Sequence, residues 1–180
     1  MDDACPTPAF DPARSRAAPL PETVFKDAMC RLAGGVGVAA CWNGETPTGL
    51  LVSSIAALSV TPPRVLFCVQ KIARSHNALF HARQCSLNLL AEDDRLEADR
   101  FSNSARSGER FDPAQWTLDP ASPPTSRSAL VALTGTIGHR MDAGTHTVFV
   151  LNVRDVDVRD AGPLVYFDRG YAGLRPLAEA

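Results

Sequence analysis

The segment Lys71-Ile72-Ala73-Arg74-Ser75 puts two cations and a hydroxyl side by side where the pattern predicts a short helix over 75–82, with Ser75 as its N-cap. A helix start offers free N–H groups and a partial positive charge, so a Lys and an Arg beside it make a cradle for phosphate. The same residues also read as a solvated turn with a capping serine, and a second segment is needed to choose. That segment is Thr48-Gly49-Leu50-Leu51-Val52-Ser53-Ser54-Ile55-Ala56-Ala57-Leu58-Ser59-Val60-Thr61-Pro62-Pro63, a strand running into a Ser-rich turn closed by two prolines. Other chemistries find little support. The histidines His76, His81, His139 and His146 are scattered, and there is no G-x-S-x-G elbow, H-E-x-x-H pair, Walker loop or C-x-x-C. Gly34-Gly35-Val36-Gly37 follows a helix and opens a strand. This reverses the strand-loop-helix order that seats a pyrophosphate, so these glycines read as a helix stop.

The elements that must position these residues are mostly strands. An amphipathic helix starts near Pro21, with Phe25, Ala28, Met29 and Leu32 on one face expected to pack, and ends at Gly34-Gly35. Strands are expected at Val36–Trp42 and, after the Asn43-Gly44 hairpin signal, at Thr48–Ser53. More follow at Val65–Val69, Ser86–Leu90, Ala129–Thr136, Thr145–Val153 and Leu164–Phe167. Asp93–Phe101 reads as a second short helix, and 102–128 as a long excursion of the kind that is functional or mobile. Short strands with few helices predict an antiparallel barrel, mainly β with helices at its rim.

A chain of 180 residues holds one domain, expected over 21–176, preceded by a flexible Pro- and Ala-rich tail over 1–20. The formal charge of −2 gives no reason to expect nucleic acid or an anionic membrane as partner, so any anion site must be local. No apolar run approaches the length of a spanning helix and the N-terminus lacks an apolar signal core, which predicts a cytoplasmic protein. Five cysteines, odd in number and never spaced C-x-x-C, suggest neither a disulfide framework nor a zinc site; Cys41 and Cys68 read as buried thiols.

The Thr48–Pro63 segment, with Phe25-x-x-Ala28-Met29-x-x-Leu32 and Gly35-Val36 before it, resembles the flavin reductase family that serves two-component flavin monooxygenases. Similar landmarks follow in order: Arg100-Phe101-Ser102, Arg110-Phe111 with Trp116, Gly144-Thr145-His146, Pro163-Leu164-x-Tyr166, and Arg169-Gly170-Tyr171-x-x-Leu174. The match covers about Thr23 to Leu174. Two positions depart from the family pattern: Thr145 stands where G-D-H has aspartate, and Leu51 where a threonine is common at the flavin-facing turn.

The resemblance implies an FMN-binding split β-barrel that dimerises, with FMN or FAD near the subunit interface and NADH or NADPH as hydride donor. It implies that Leu51, Val52, Ser53, Ser54 and Ile55, with Ala57 and Leu58, serve the flavin ring and its polar edge. Lys71, Arg74 and Ser75 would hold phosphate. His146 would lie over the flavin and contact the nicotinamide, with Phe101, Ser102 and Tyr171 walling the site, and a flavin-dependent monooxygenase would receive the reduced flavin. Hydride passes directly between the two rings, so no acid–base pair is required. Two other readings stand beside this one: a non-enzymatic flavin-binding electron carrier or redox sensor on the same barrel, and a β-rich oligomeric interaction module whose Ser-rich turn is structural.

Overall fold

The computed structural model describes residues 19–176; nearly all of the expected tail lies outside them. The described chain runs α1 (Glu22–Met29), β1 (Gly34–Gly35), β2 (Gly37–Asn43), β3 (Thr46–Val52), β4 (Ile55–Ser59), β5 (Arg64–Gln70), α2 (His76–His81) and β6 (Gln84–Leu89). A 3₁₀ turn at Glu92–Asp94 leads into α3 (Arg95–Ser102). The excursion holds a second 3₁₀ segment, Ser104–Glu109, and a ribbon of β7 (Trp116–Thr117) and β8 (Thr125–Ser126). Then come β9 (Val131–Ala143), β10 (His146–Val158), β11 (Leu164–Phe167) and β12 (Gly170–Gly173).

Seven strands form one antiparallel sheet in the order β3-β2-β6-β9-β10-β5-β4. Its two edge strands, β3 and β4, are consecutive in the chain and joined through Ser53-Ser54. So short a link can connect opposite edges only if the sheet curls round until they meet. The Cys68 N–H donates to the Ser54 carbonyl at 3.0 Å, tying the link to β5. The result is the split antiparallel barrel that the family resemblance implies.

Period-2 alternation on β2 divides the core. Ala39 and Cys41 point into the barrel with Phe67, Val69, Leu87, Phe149 and Leu151. Val38 and Ala40 point outward to a second cluster with Leu90, Ala98, Phe101, Phe111 and Trp116. The excursion is thus folded onto the outer face of β2. Burial pushes the Cys41 thiol up to about 12, and that of Cys85 upward as well, so neither is a nucleophile at neutral pH. Cys68 is only half buried, because it lies on the outward face of β5.

Three expectations change. Helix α1 buries none of its residues: Phe25 and Met29 are 53% and 46% exposed, and Leu32, just beyond its end, is 72% exposed, because this stripe borders a surface groove and not the core. Residues 55–59, read as part of a turn, form β4 through pairing with β5 (Ile55↔Phe67, Ala57↔Val65). The Asn43-Gly44 hairpin turns on Gly44 and Glu45, with Asn43 paired to Thr46 and positive φ at Gly44, where a side chain would be strained. Among the described residues no helix is long and apolar enough to cross a membrane.

Candidate functional site

The seam where β3 passes into β4 opens on a cleft of about 420 Å³ on the outside of the barrel, within the size range of small-molecule sites. Alternation on β5 explains one wall. Val65, Phe67 and Val69 are buried inside, so Leu66, Cys68 and Gln70 face out; Cys68 and Gln70 line the cleft, while Leu66 lines a neighbouring groove. Across the ladder, Gln70 pairs with His146, the first residue of β10, and so brings its imidazole to the same rim. Leu50 to Ser54 form the floor, and Phe101, Ser102, Ser104 and Arg110 close the far side.

Gly49 is the joint of the site. Its carbonyl accepts a hydrogen bond from the Ser75 hydroxyl (2.8 Å) and another from Arg110 Nη1 (3.3 Å). A Cβ there would lie 2.7 Å from the Ala39 carbonyl oxygen, so β2 and β3 could not keep their approach with a larger residue. Ser75 is buried and its hydroxyl also accepts from Thr48 Oγ1 at 3.0 Å; it fastens α2 to β3 and makes no side-chain cap. Arg110 donates also to the carbonyls of Arg100 (2.7 Å) and Asn103 (3.0 Å), holding the excursion over the cleft. Burial, and then the nearby Arg74 charge, push the Arg110 pKa down. Among the described residues no Asp or Glu lines the cleft. Two guanidiniums facing one cavity without a carboxylate make a site that favours an anion.

The His146 Nδ1 lies 2.9 Å from Thr145 Oγ1, which leaves Nε2 as the ring nitrogen free for a ligand. Behind the cleft, Trp116 Nε1 donates to the buried Glu97 at 2.6 Å, and Arg100 pairs with the same carboxylate at 2.9 Å. Phe111, held between Phe101 and Trp116 with ring centroids 5.0 and 4.8 Å away, has φ +59, a strained conformation for a bulky residue.

The cleft brings together Leu51, Val52, Ser53, Ser54, Arg74, Ser75, Phe101, Ser102 and His146 of the expected residues. Five others stand apart from it. Lys71 projects to the β9–β10 turn and pairs with Asp142. Ala57 and Leu58 lie on the exposed edge strand β4, beyond the seam. Tyr171, on the β11–β12 hairpin, packs against Tyr166 (5.6 Å) and the outer cluster that contains Phe101 and does not itself line the cleft; burial raises its phenol pKa. Ile55 lines the neighbouring groove. The cleft adds Leu50, Cys68, Gln70, Ala73, Ser104 and Arg110. Cys68 and Gln70 could have been found as the outward alternates of Val65–Val69, whereas nothing local marks Ser104.

The groove of about 920 Å³ beside the cleft shares Ser53 and Ser54 with it and is lined by Phe25, Met29, Leu32, Ile55, Leu66 and Tyr166, among others. Among the described residues no group of three or more His, Cys, Asp or Glu could hold a metal.

Comparison with known proteins agrees with this fold. Residues 29–175 match the flavin reductase like domain. The chain is 30% identical to the FMN reductase (NADH) RutF of Stutzerimonas stutzeri over 88% of its own length and 91% of that protein. It is 28% identical to the flavin-dependent monooxygenase reductase subunit HsaB of Rhodococcus jostii over 97% of this chain and 84% of that one. Among solved structures, a flavin reductase domain protein from Arthrobacter sp. FB24 superposes with a TM-score of 0.80 at 31% identity, covering 88% of this chain and 98% of that one.

Proposed function

From the premise that the chain belongs to the flavin reductase-like domain family, we propose that it is an NAD(P)H:flavin oxidoreductase whose flavin site is the seam cleft. The observation that carries the reading is the gathering of Ser53, Ser54, Arg74, Arg110 and His146 around one cavity that, among the described residues, no carboxylate lines. The guanidinium of Arg74 would hold the phosphate of FMN or FAD, assisted by Arg110. Leu51 and Phe101, on the outer face, supply apolar contact for a ring, and Ser53 and Ser54 supply hydroxyls and amides for its polar edge. When bound, the flavin supplies the hydride acceptor, which is why the cleft needs no proton-transfer pair. His146, tied at Nδ1 by Thr145, orients the nicotinamide from the rim.

Mixing the protein with NADH and FMN, the pair named for the RutF relative, should oxidise NADH; FAD and NADPH complete the set to be assayed. The His146→Ala variant should lose about tenfold or more in hydride-transfer rate through lost orientation, with flavin affinity kept. Flavin binding without turnover in any of the four combinations would leave a flavin-binding electron carrier or redox sensor.

Reductase components of monooxygenase systems are among the relatives, so the reduced flavin would pass to a partner monooxygenase. A second copy of the chain would cover the stripe of Phe25, Met29 and Leu32, whose exposure is otherwise costly. Replacing Leu32 with Asp should then shift sedimentation from dimer to monomer. A wild type that sediments as a monomer at micromolar concentration would overturn that part of the reading.

A further inference from the structure

We propose that Lys71 is a positioning residue for His146, a clamp on the β9–β10 turn and not a ligand of the flavin phosphate; the inference rests on the flavin–nicotinamide reading of the cleft. Lys71 follows directly on β5 and reaches both sides of that turn. Its N–H donates to the Thr145 carbonyl at 3.0 Å, and its ammonium group pairs with the Asp142 carboxylate. Asp142 in turn accepts the Gly144 N–H at 3.0 Å through its other oxygen, at a glycine whose φ of +67 lets the chain reverse. The next link is Thr145, whose hydroxyl meets His146 Nδ1 at 2.9 Å.

A continuous chain of contacts therefore runs from β5 through the turn to the imidazole at the cleft rim. Arg74, three residues after Lys71, lines the cleft, but Lys71 does not. The hydrogen bond from Lys71, and then the Gly144 amide, hold the Asp142 carboxyl below the usual carboxylate range. Both partners are solvent-exposed, and exposed pairs add little to global stability. What the clamp contributes is the placing of His146 against a bound ring, where small displacements are costly to rate.

The test uses the full chain with Lys71→Met, Asp142→Asn and the exchanged pair Lys71→Asp/Asp142→Lys. Each single variant should lower kcat and raise the NADH KM by roughly three- to tenfold in all, leaving the FMN dissociation constant and the melting temperature unchanged. The exchanged pair should recover the part of the loss that belongs to the ion pair, and not the part that belongs to the Gly144 amide, which a lysine at position 142 cannot accept. In the resting protein, without either nucleotide, the His146 ring signals in NMR should shift and broaden in both single variants; this holds even if the wild type proves not to turn over NADH, which would sink only the enzymatic reading. Weaker FMN binding in Lys71→Met but not in Asp142→Asn would show that Lys71 is a phosphate ligand. Unmoved ring signals in both variants would show that the clamp does not act on His146. Either result overturns the proposal.

Discussion

Replacing Arg74 with Glu should weaken FMN binding by roughly a hundred-fold, since a charge-assisted hydrogen bond contributes about 1.5–3 kcal/mol and the new carboxylate would repel the phosphate. The expectation follows from the inventory of the cleft. Among the described residues Arg74 and Arg110 are its guanidinium cations and no Asp or Glu lines it, and Arg110 already donates to three carbonyl oxygens. Arg74 is the one with its guanidinium free to turn to a ligand, and its exposure makes an effect on folding small. Riboflavin, which lacks the phosphate, provides the control. Its dissociation constant, measured by fluorescence titration at the same ionic strength, should be the same for Arg74→Glu and wild type. Equal weakening of FMN and riboflavin would show that Arg74 shapes the pocket and does not hold the phosphate.

A second large effect should appear far from any ligand. Trp116→Ala should cost about 3–5 kcal/mol of stability, as for other buried large aromatics. At roughly 2–4 °C per kcal/mol for a chain of this size, the melting temperature should fall by about 6–20 °C. Trp116 is 1% exposed, packs against Phe111 and Phe101, and gives its indole N–H to Glu97. Truncation both opens a cavity and removes a hydrogen bond from a buried carboxylate, leaving Arg100 to satisfy it. Trp116→Phe keeps most of the ring but not the donor, so it should cost less than Trp116→Ala. Because Phe101 belongs to this cluster and also walls the cleft, the alanine variant should bind flavin more weakly too. A melting temperature within 2 °C of wild type, by calorimetry, would contradict the packing described for the excursion.

Strands were legible where burial on one or both faces imposes a pattern. Leu164–Phe167 was read to the residue, and the start of β5 to within one. The long hairpin β9–β10 extends beyond the apolar runs, because exposed residues such as Asp155 and Asp157 are held in strand by pairing with Thr134 and Ala132. Strand β4 was missed for the same reason: its residues are mostly exposed, and its partner β5 supplies the order.

The cleft was legible in its chain segments. Ser53, Ser54, Arg74, Ser75, Phe101, Ser102 and His146 come from four separated stretches and meet at one cavity. Lys71 shows what spacing could not reveal. It stands near Arg74 in sequence, but the chain reverses direction between them, and an acidic partner 71 residues away draws its side chain elsewhere. Arg110 lay inside the excursion, where polar composition hides the fact that its guanidinium is spent on backbone carbonyls.

The two-residue link Ser53-Ser54 also sets a rule for which sequences this fold can accept. Val52 points into the barrel and Ile55 must meet Phe67 in register. Side chains alternate along strands, so adding or removing one residue in the link would turn every side chain of β4 to the opposite face while moving the Ser54 carbonyl away from the Cys68 amide. Substitution in the link is a change of chemistry; insertion is a change of topology. Relatives and engineered descendants should therefore change the identity of these two residues only within what the flavin's polar edge accepts, and their number hardly at all, so that loop length is what keeps the barrel's seam and the cleft over it open for use.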